Sequence, residues 1–275
     1  MSSPYVIYFL LFSAFPIVFS LILVFHRWNI ISPMEFIGLE NFNYLIHDPL
    51  FWKSIWNTLR FLVIHIPLQV IVALILAEAL NQKIRGLMFF RAAFFLPVVI
   101  SGVVVTILWK QLYSTETGYF NLLLSNLGLP RIPWLTSTTF AMPSIALMAT
   151  WKNVGLYVIL FLAGLQSVPG YLYEQAQIDG ANKVQQFLYI TIPALNPVIV
   201  MVVILSTING FNLFIEPYVM TGGSPLNSTL SVVLYIYKQA FSFYKMGYAA
   251  TLGFVFAMIV FSVVLVQRRI LEDEE

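Results

Sequence analysis

Long apolar stretches dominate this sequence and decide its fold class. A helix needs about 20 consecutive, mostly apolar residues to cross the hydrocarbon core of a bilayer. Six stretches reach that length, at residues 5–25, 57–80, 87–112, 140–166, 194–218 and 246–266. Charged residues make up 9% of the chain, against about 25% in an ordinary soluble domain. Fourteen Lys and Arg with twelve Asp and Glu cannot clothe a soluble fold of 275 residues. This balance excludes a soluble enzyme, a nucleic-acid binder and a disordered chain. No alternating pattern of the kind barrel strands require is present. The chain reads as an all-α, multi-pass membrane protein: one transmembrane domain of six helices over residues 1–275.

The first stretch is expected to be a true span rather than a signal peptide. No basic residue precedes it, its apolar run is too long, and no small-residue cleavage site follows. Pro67 and Pro97 fall inside the second and third stretches, where neighbouring helices can satisfy the freed backbone groups. With no cysteine, thiolate zinc sites, disulfides and cysteine nucleophiles are excluded.

Basic residues orient the chain weakly. With a cytoplasmic N-terminus, Lys83, Arg85, Arg91, Lys183, Arg268 and Arg269 fall inside. Arg27, Lys53, Arg60, Lys110, Arg131, Lys238 and Lys245 then fall outside. The tally alone does not decide. The dense KIR turn and QRR stop at helix ends favour this orientation, with both termini cytoplasmic.

One segment, 167–193, is too polar to span and too patterned for a loose linker. It reads SVPGYLYEQAQIDGANKVQQFLYITIP. Tyr171, Leu172, Tyr173 and Ile178 suit one buried helical face. Gly180 then breaks the helix, and a second short amphipathic run follows over 181–190 before Pro193 opens the next span. An interfacial loop and a helix that docks in a partner's groove both fit this pattern.

The same residues resemble the EAA loop of permease subunits of binding-protein-dependent ABC importers: Glu174-Gln175-Ala176, then Gly180, then Ile190-Thr191-Ile192-Pro193. Gln175 replaces the middle Ala, and Ile192 a Leu. Elsewhere the chain is similar to the carbohydrate branch of that family, of maltose, lactose and glycerol-3-phosphate type. GLENFNYLIHDPLFWKSIWNTL, FFRAAFFLPVVISGVV, FLAGLQSVPGYLYE, TGGSP and YIYKQAFSFYKMGYAA carry that likeness.

The resemblance implies a non-catalytic subunit that moves a sugar or oligosaccharide inward by alternating access in a bacterial or archaeal cytoplasmic membrane. Glu174, Ala176, Asp179, Gly180 and Ala181 would form the contact and hinge to a separate ATPase, with Ile190 and Pro193 setting the return into the fifth span. The implied partners are a second homologous permease, an ATPase dimer and an extracytoplasmic solute-binding protein. No Gly is followed by Lys, so the chain holds no P-loop. It is expected to bind no cofactor itself; ATP and Mg would sit on the ATPase.

Polar residues within spans point to the solute path. A lysine at mid-bilayer should face the bundle interior or water, which singles out Lys152. Asn153 and Tyr157 share its helix and lie on one face with each other. Ser206, Asn209, Asn212 and Glu216, at spacings of 3, 3 and 4, form a single stripe in the fifth stretch. Hydroxyls, amides and a carboxylate suit a sugar, whose hydroxyls donate and accept. The stripe favours lining over the alternative of interhelical glue, and Lys152 could simply pair with Glu216. His26, His47 and His65 share no metal spacing and are given no role. The competing reading is an ion-coupled secondary carrier, which would need acidic groups within spans. Glu78 and Glu216 are the acidic residues placed there.

Overall fold

The computed structural model describes residues 3–82 and 86–272. Lys83 and Arg85 of the basic turn lie outside the described residues. Helix α1 (Tyr5–Leu23) carries one π turn, at Leu10–Ala14. A two-residue ladder follows, β1 (His26–Arg27) antiparallel to β2 (Glu35–Phe36). Short α2 (Glu40–Ile46) leads into α3 (Pro49–Asn81). α3 starts before residue 57 because Asp48 caps it. The Asp48 side chain accepts from Leu50 N at 2.9 Å and Phe51 N at 3.4 Å, and Pro49 occupies a first-turn position that needs no donor.

The third apolar stretch is not one straight helix. It forms α4 (Leu87–Val99) and α5 (Gly102–Leu112), bent by 98° at Ile100-Ser101. Pro97 lacks the N–H that would bond Ala93, which weakens the helix just before the extended Ile100 and Ser101. Helix α6 (Tyr119–Asn126) precedes the long α7 (Ala141–Ser167). Next come α8 (Gly170–Ile178) and α9 (Lys183–Ala194), whose middle is a π turn at Phe187–Thr191. α10 (Asn196–Phe211) leaves α9 at 67°.

The fifth stretch also breaks. α10 stops at Phe211, and a separate α11 (Ile215–Met220) follows. Pro217 is the cause: its ring cannot accommodate, nor its nitrogen bond, the Leu213 carbonyl four residues back. Ser231 Oγ donates to that carbonyl instead, at 2.6 Å. The chain then runs through α12 (Val232–Tyr237) into α13 (Met246–Glu272). Among the described residues four helices are long and apolar enough to span, six if each bent pair counts as one span.

α7 is the centre of the bundle: 61% of its apolar window is buried, against 6% for α1, which lies outermost against α13. Lipid tails are as apolar as the side chains, so helix association rests on close packing and hydrogen bonds. Ala73 and Ala77 of α3 pack in one cluster with Phe161 and Leu165 of α7. Gly210 lets α10 approach α3, since a Cβ there would meet Leu62 of α3. At the far side of that seam, Val202 of α10 packs in the cluster that holds Ala73 and Ala77.

Candidate functional sites: a polar cavity and an end loop

The two bends converge on α7. Because α4 turns sharply into α5, Gly102 sits against Lys152; a Cβ there would lie 2.8 Å from Lys152 Nζ. Because α11 turns away from α10, Glu216 is brought back over α7, with Oε1 3.7 Å from Lys152 Nζ. The two side chains are only 15% and 12% exposed. At that separation the charges neutralise each other without forming the short bond of about 2.8 Å typical of a charge-assisted pair. Both keep hydrogen-bonding capacity for a third group.

Beside this pair lies a cavity of about 260 Å³. Lys152, Asn153, Tyr157, Asn209, Asn212 and Glu216 all line it. Asn209 Nδ2 donates to the Tyr157 hydroxyl at 3.2 Å, and Asn212 Nδ2 to its own helix at Ile208 O, 3.0 Å. Of the seven residues singled out in the spans, Ser206 does not reach the cavity. It is fully buried, and its Oγ has no partner among the described residues. The single-helix stripe is thus corrected: Ser206, Asn209 and Asn212 follow α10, whereas Glu216 arrives from a separate helix.

His65 and Phe61 of α3 also line the cavity, and the sequence reading gave neither a role. Their rings stack with centroids 4.9 Å apart, and His65 Nδ1 pairs with Thr150 Oγ1 at 2.8 Å. The available signal was a polar side chain in mid-span, which is a functional pointer whether or not metal spacing is present. Among the described residues no group of three His, Cys, Asp or Glu side chains could hold a metal ion.

A larger cavity, about 420 Å³, opens at the end of the bundle opposite α8, between Arg27, Glu40, Tyr44, Lys245 and Tyr248. Its charges are already engaged: Arg27 binds both Glu40 oxygens at 2.9 and 3.0 Å, and Lys245 lies 5.5 Å from the Tyr44 ring centre. The smaller cavity therefore has the greater free polar capacity.

At the other end, α8 terminates in a Schellman turn. Gly180, at φ +81°, is its left-handed residue; Ala181 N bonds Ala176 O at 2.8 Å, and Gly180 N bonds Gln177 O at 3.1 Å. Asp179 is the C-cap. Asn182 and Gln185 then close a capping box that starts α9. The spacing from Ala176 to Gly180 is the spacing this turn demands. Tyr173 OH pairs with Thr191 Oγ1 at 2.9 Å, fixing α8 against the return through Ile190 and Pro193. Glu174 is exposed. The buried face expected for α8 is only half present: Leu172 and Tyr173 are partly covered, whereas Tyr171 is 58% and Ile178 85% exposed. Val184 and Tyr189 of α9 are exposed as well. This leaves an apolar surface that the described residues do not cover.

Residues 2–271 match the family described as binding-protein-dependent transport system inner membrane component. The probable ABC transporter permease protein YurN of Bacillus subtilis is 38% identical, covering 95% of this chain and 91% of its own. The arabinooligosaccharides permease AraP of the same organism is 37% identical over 98% of this chain and 86% of its own. The lactose permease LacF of Rhizobium radiobacter is 39% identical over 90% and 85%. Two crystal structures of a bacterial alginate ABC importer superpose on this fold. One has TM-score 0.81 at 25% identity, over 98% of this chain and 93% of the other. The second, in complex with a periplasmic protein carrying an alginate pentasaccharide, has TM-score 0.82 at 26% identity, over 98% and 92%. This chain belongs to the binding-protein-dependent transport system inner membrane component family.

Proposed function

We propose that this subunit carries a sugar or oligosaccharide through the cavity between α3, α7, α10 and α11. The family makes it a non-catalytic, multi-pass permease of an ABC importer, with ATP hydrolysed on a separate chain. The comparisons give the ion-coupled carrier no support. The observation that carries the substrate reading is the gathering of seven hydrogen-bonding side chains around one small cavity inside an apolar bundle. Lys152 and Glu216 cancel in charge, so the site suits a neutral ligand rich in hydroxyls. Relatives named for arabinooligosaccharides and lactose are consistent with that chemistry.

In this reading α8 and α9 face the cytoplasm, as do both termini. Glu174, Ala176, Asp179, Gly180 and Ala181 seat the loop in the ATPase, which holds the ATP and Mg, and the exposed Ile178, Val184 and Tyr189 are covered there. Ile190 and Pro193 transmit its movement to α10. A second permease completes the passage, two ATPase copies drive it, and a solute-binding protein delivers the sugar at the opposite face. The test is affinity purification of a tagged chain from its host in mild detergent, with mass spectrometry of the co-purifying proteins. A P-loop ATPase and a second permease should be recovered, and the ATPase should be lost when Glu174 and Gly180 are both changed. A chain recovered alone would refute the reading.

A further inference from the structure

Gln69 is fully buried in α3, and neither its Oε1 nor its Nε2 has a hydrogen-bond partner among the described residues. Ser206, equally buried in α10, leaves its Oγ unpaired in the same way. An unpaired polar group is unfavourable in any protein interior, and more so inside a bilayer where the surroundings supply no alternative partner. Packing alone gives no reason for a glutamine here. Leucine or methionine would fill the volume without the penalty.

Both groups lie on the helix faces that carry the Leu62–Gly210 contact between α3 and α10. Leu62, His65, Gln69 and Ala73 follow one face of α3, and Val202, Ser206 and Gly210 one face of α10. Leu62 meets Gly210 at one end of the seam between the two helices, and Ala73 packs in the cluster with Val202 at the other. Along the two helices Gln69 falls between Leu62 and Ala73, and Ser206 between Val202 and Gly210. Their outward neighbours, His65 one turn along α3 and Asn209 along α10, line the polar cavity. The polar lining therefore continues from the cavity into the α3–α10 seam, in the direction of α8, where the packed helices now close it.

We propose that Gln69, together with Ser206, forms a second subsite on the solute path, shut in this structure and opened when α3 and α10 part. A carboxamide both donates and accepts, as does a hydroxyl, so the pair matches the hydroxyls of a sugar. The inference rests on the reading of the cavity as the solute passage.

Because the chain has no cysteine, single cysteines report accessibility without a background from this subunit. The experiment uses the assembled transporter in inside-out membrane vesicles, labelled with the charged thiol reagent methanethiosulfonate ethyltrimethylammonium. Labelling is compared without nucleotide and after trapping with ATP and vanadate, and read by mass on this subunit. Gln69→Cys and Ser206→Cys should react in one nucleotide state and lose that reaction in the other. Val158→Cys, buried in α7, should stay unlabelled in both. Ser206→Cys changes a single side-chain atom and carries the test if Gln69→Cys does not assemble. Asn209→Cys reports on the cavity itself. If it labels while the two seam positions never do, the second subsite is refuted and the cavity reading stands. If none of the three labels in either state, the cavity reading falls and takes the subsite with it. Equal labelling of the seam in both states would also refute the proposal, since the seam would then never close.

Discussion

Lys152 Nζ stands 3.7 Å from Glu216 Oε1, linking the middle of α7 to the first turn of α11. The contact exists because the fifth apolar stretch breaks before Pro217. In a straight helix Glu216 would continue the α10 stripe; in the observed bend it faces a lysine on another helix.

Removing one member of such a largely buried pair leaves the other charge uncompensated, at a cost of at most about 3–5 kcal/mol. Lys152→Met and Glu216→Gln are each expected to lower the melting point of the purified complex. The double change Lys152→Met with Glu216→Leu should recover most of that loss. Uptake should stay low in all three, because the proposed solute path runs past both groups. Uptake restored in the double variant would make the pair purely structural.

Ser231 and Pro217 form a second testable couple. Ser231→Ala orphans the Leu213 carbonyl, a penalty of about 1–3 kcal/mol for a buried acceptor. Pro217→Ala returns an N–H at the position that bonds residue 213 in a continuous helix. The second change should therefore partly rescue the first in thermal unfolding, while straightening α10 into α11 and reducing uptake. Additive losses of stability would contradict this account of the break.

Gly180 has a backbone that other residues adopt at a cost of about 1–2 kcal/mol. Gly180→Ala should weaken coupling modestly. Gly180→Pro, which also removes the N–H bonded to Gln177 O, should abolish stimulation of ATP hydrolysis with the protein still inserted. ATPase assays on the assembled complex read this directly, and wild-type stimulation in Gly180→Pro would refute the hinge.

Asp48 holds three elements at the end opposite α8. It caps α3, and its Oδ2 accepts the hydroxyls of Tyr235 in α12 and Tyr248 in α13. Asp48→Ala should cost about 1 kcal/mol for the cap alone, with the two orphaned hydroxyls adding to it. Asp48→Asn, which keeps an acceptor, should cost less. Burial, then the bond to Asp48 and its negative charge, push the Tyr235 phenol above its ordinary value. A raised value in the folded state gives stability that is complete below the ordinary tyrosine value of about 10 and is lost as pH rises beyond it. Calorimetry of wild type and Tyr235→Phe from neutral to alkaline pH measures this; an equal alkaline loss in both would exclude it.

Much of the architecture is legible in the sequence for simple reasons. Span length follows from bilayer thickness, so the apolar stretches are visible. The Ala176-to-Gly180 spacing is visible because a Schellman turn has one geometry. The polar residues Lys152, Asn153, Tyr157, Asn209 and Asn212 are visible because mid-span polarity has few uses. What the pattern conceals is bending. Hydropathy averages over Ile100-Ser101 and Asn212–Phe214, and Pro97 and Pro217 mark those breaks only once their missing bonds are followed. Tyr171 and Ile178 misled in another way: an amphipathic face need not be buried by its own chain. Gln69 escaped attention because one amide disappears in the hydropathy of a 33-residue helix.

The most direct test of the central claim is transport by the purified complex in proteoliposomes, with ATP and Mg supplied on the ATPase side and the solute-binding protein on the other. The solute is a radiolabelled sugar whose uptake by the host depends on this chain. The account predicts accumulation that requires ATP. It also predicts a severe loss with Asn209→Leu in a complex that remains assembled. Accumulation driven by an ion gradient without ATP, or unchanged uptake with Asn209→Leu, would contradict it.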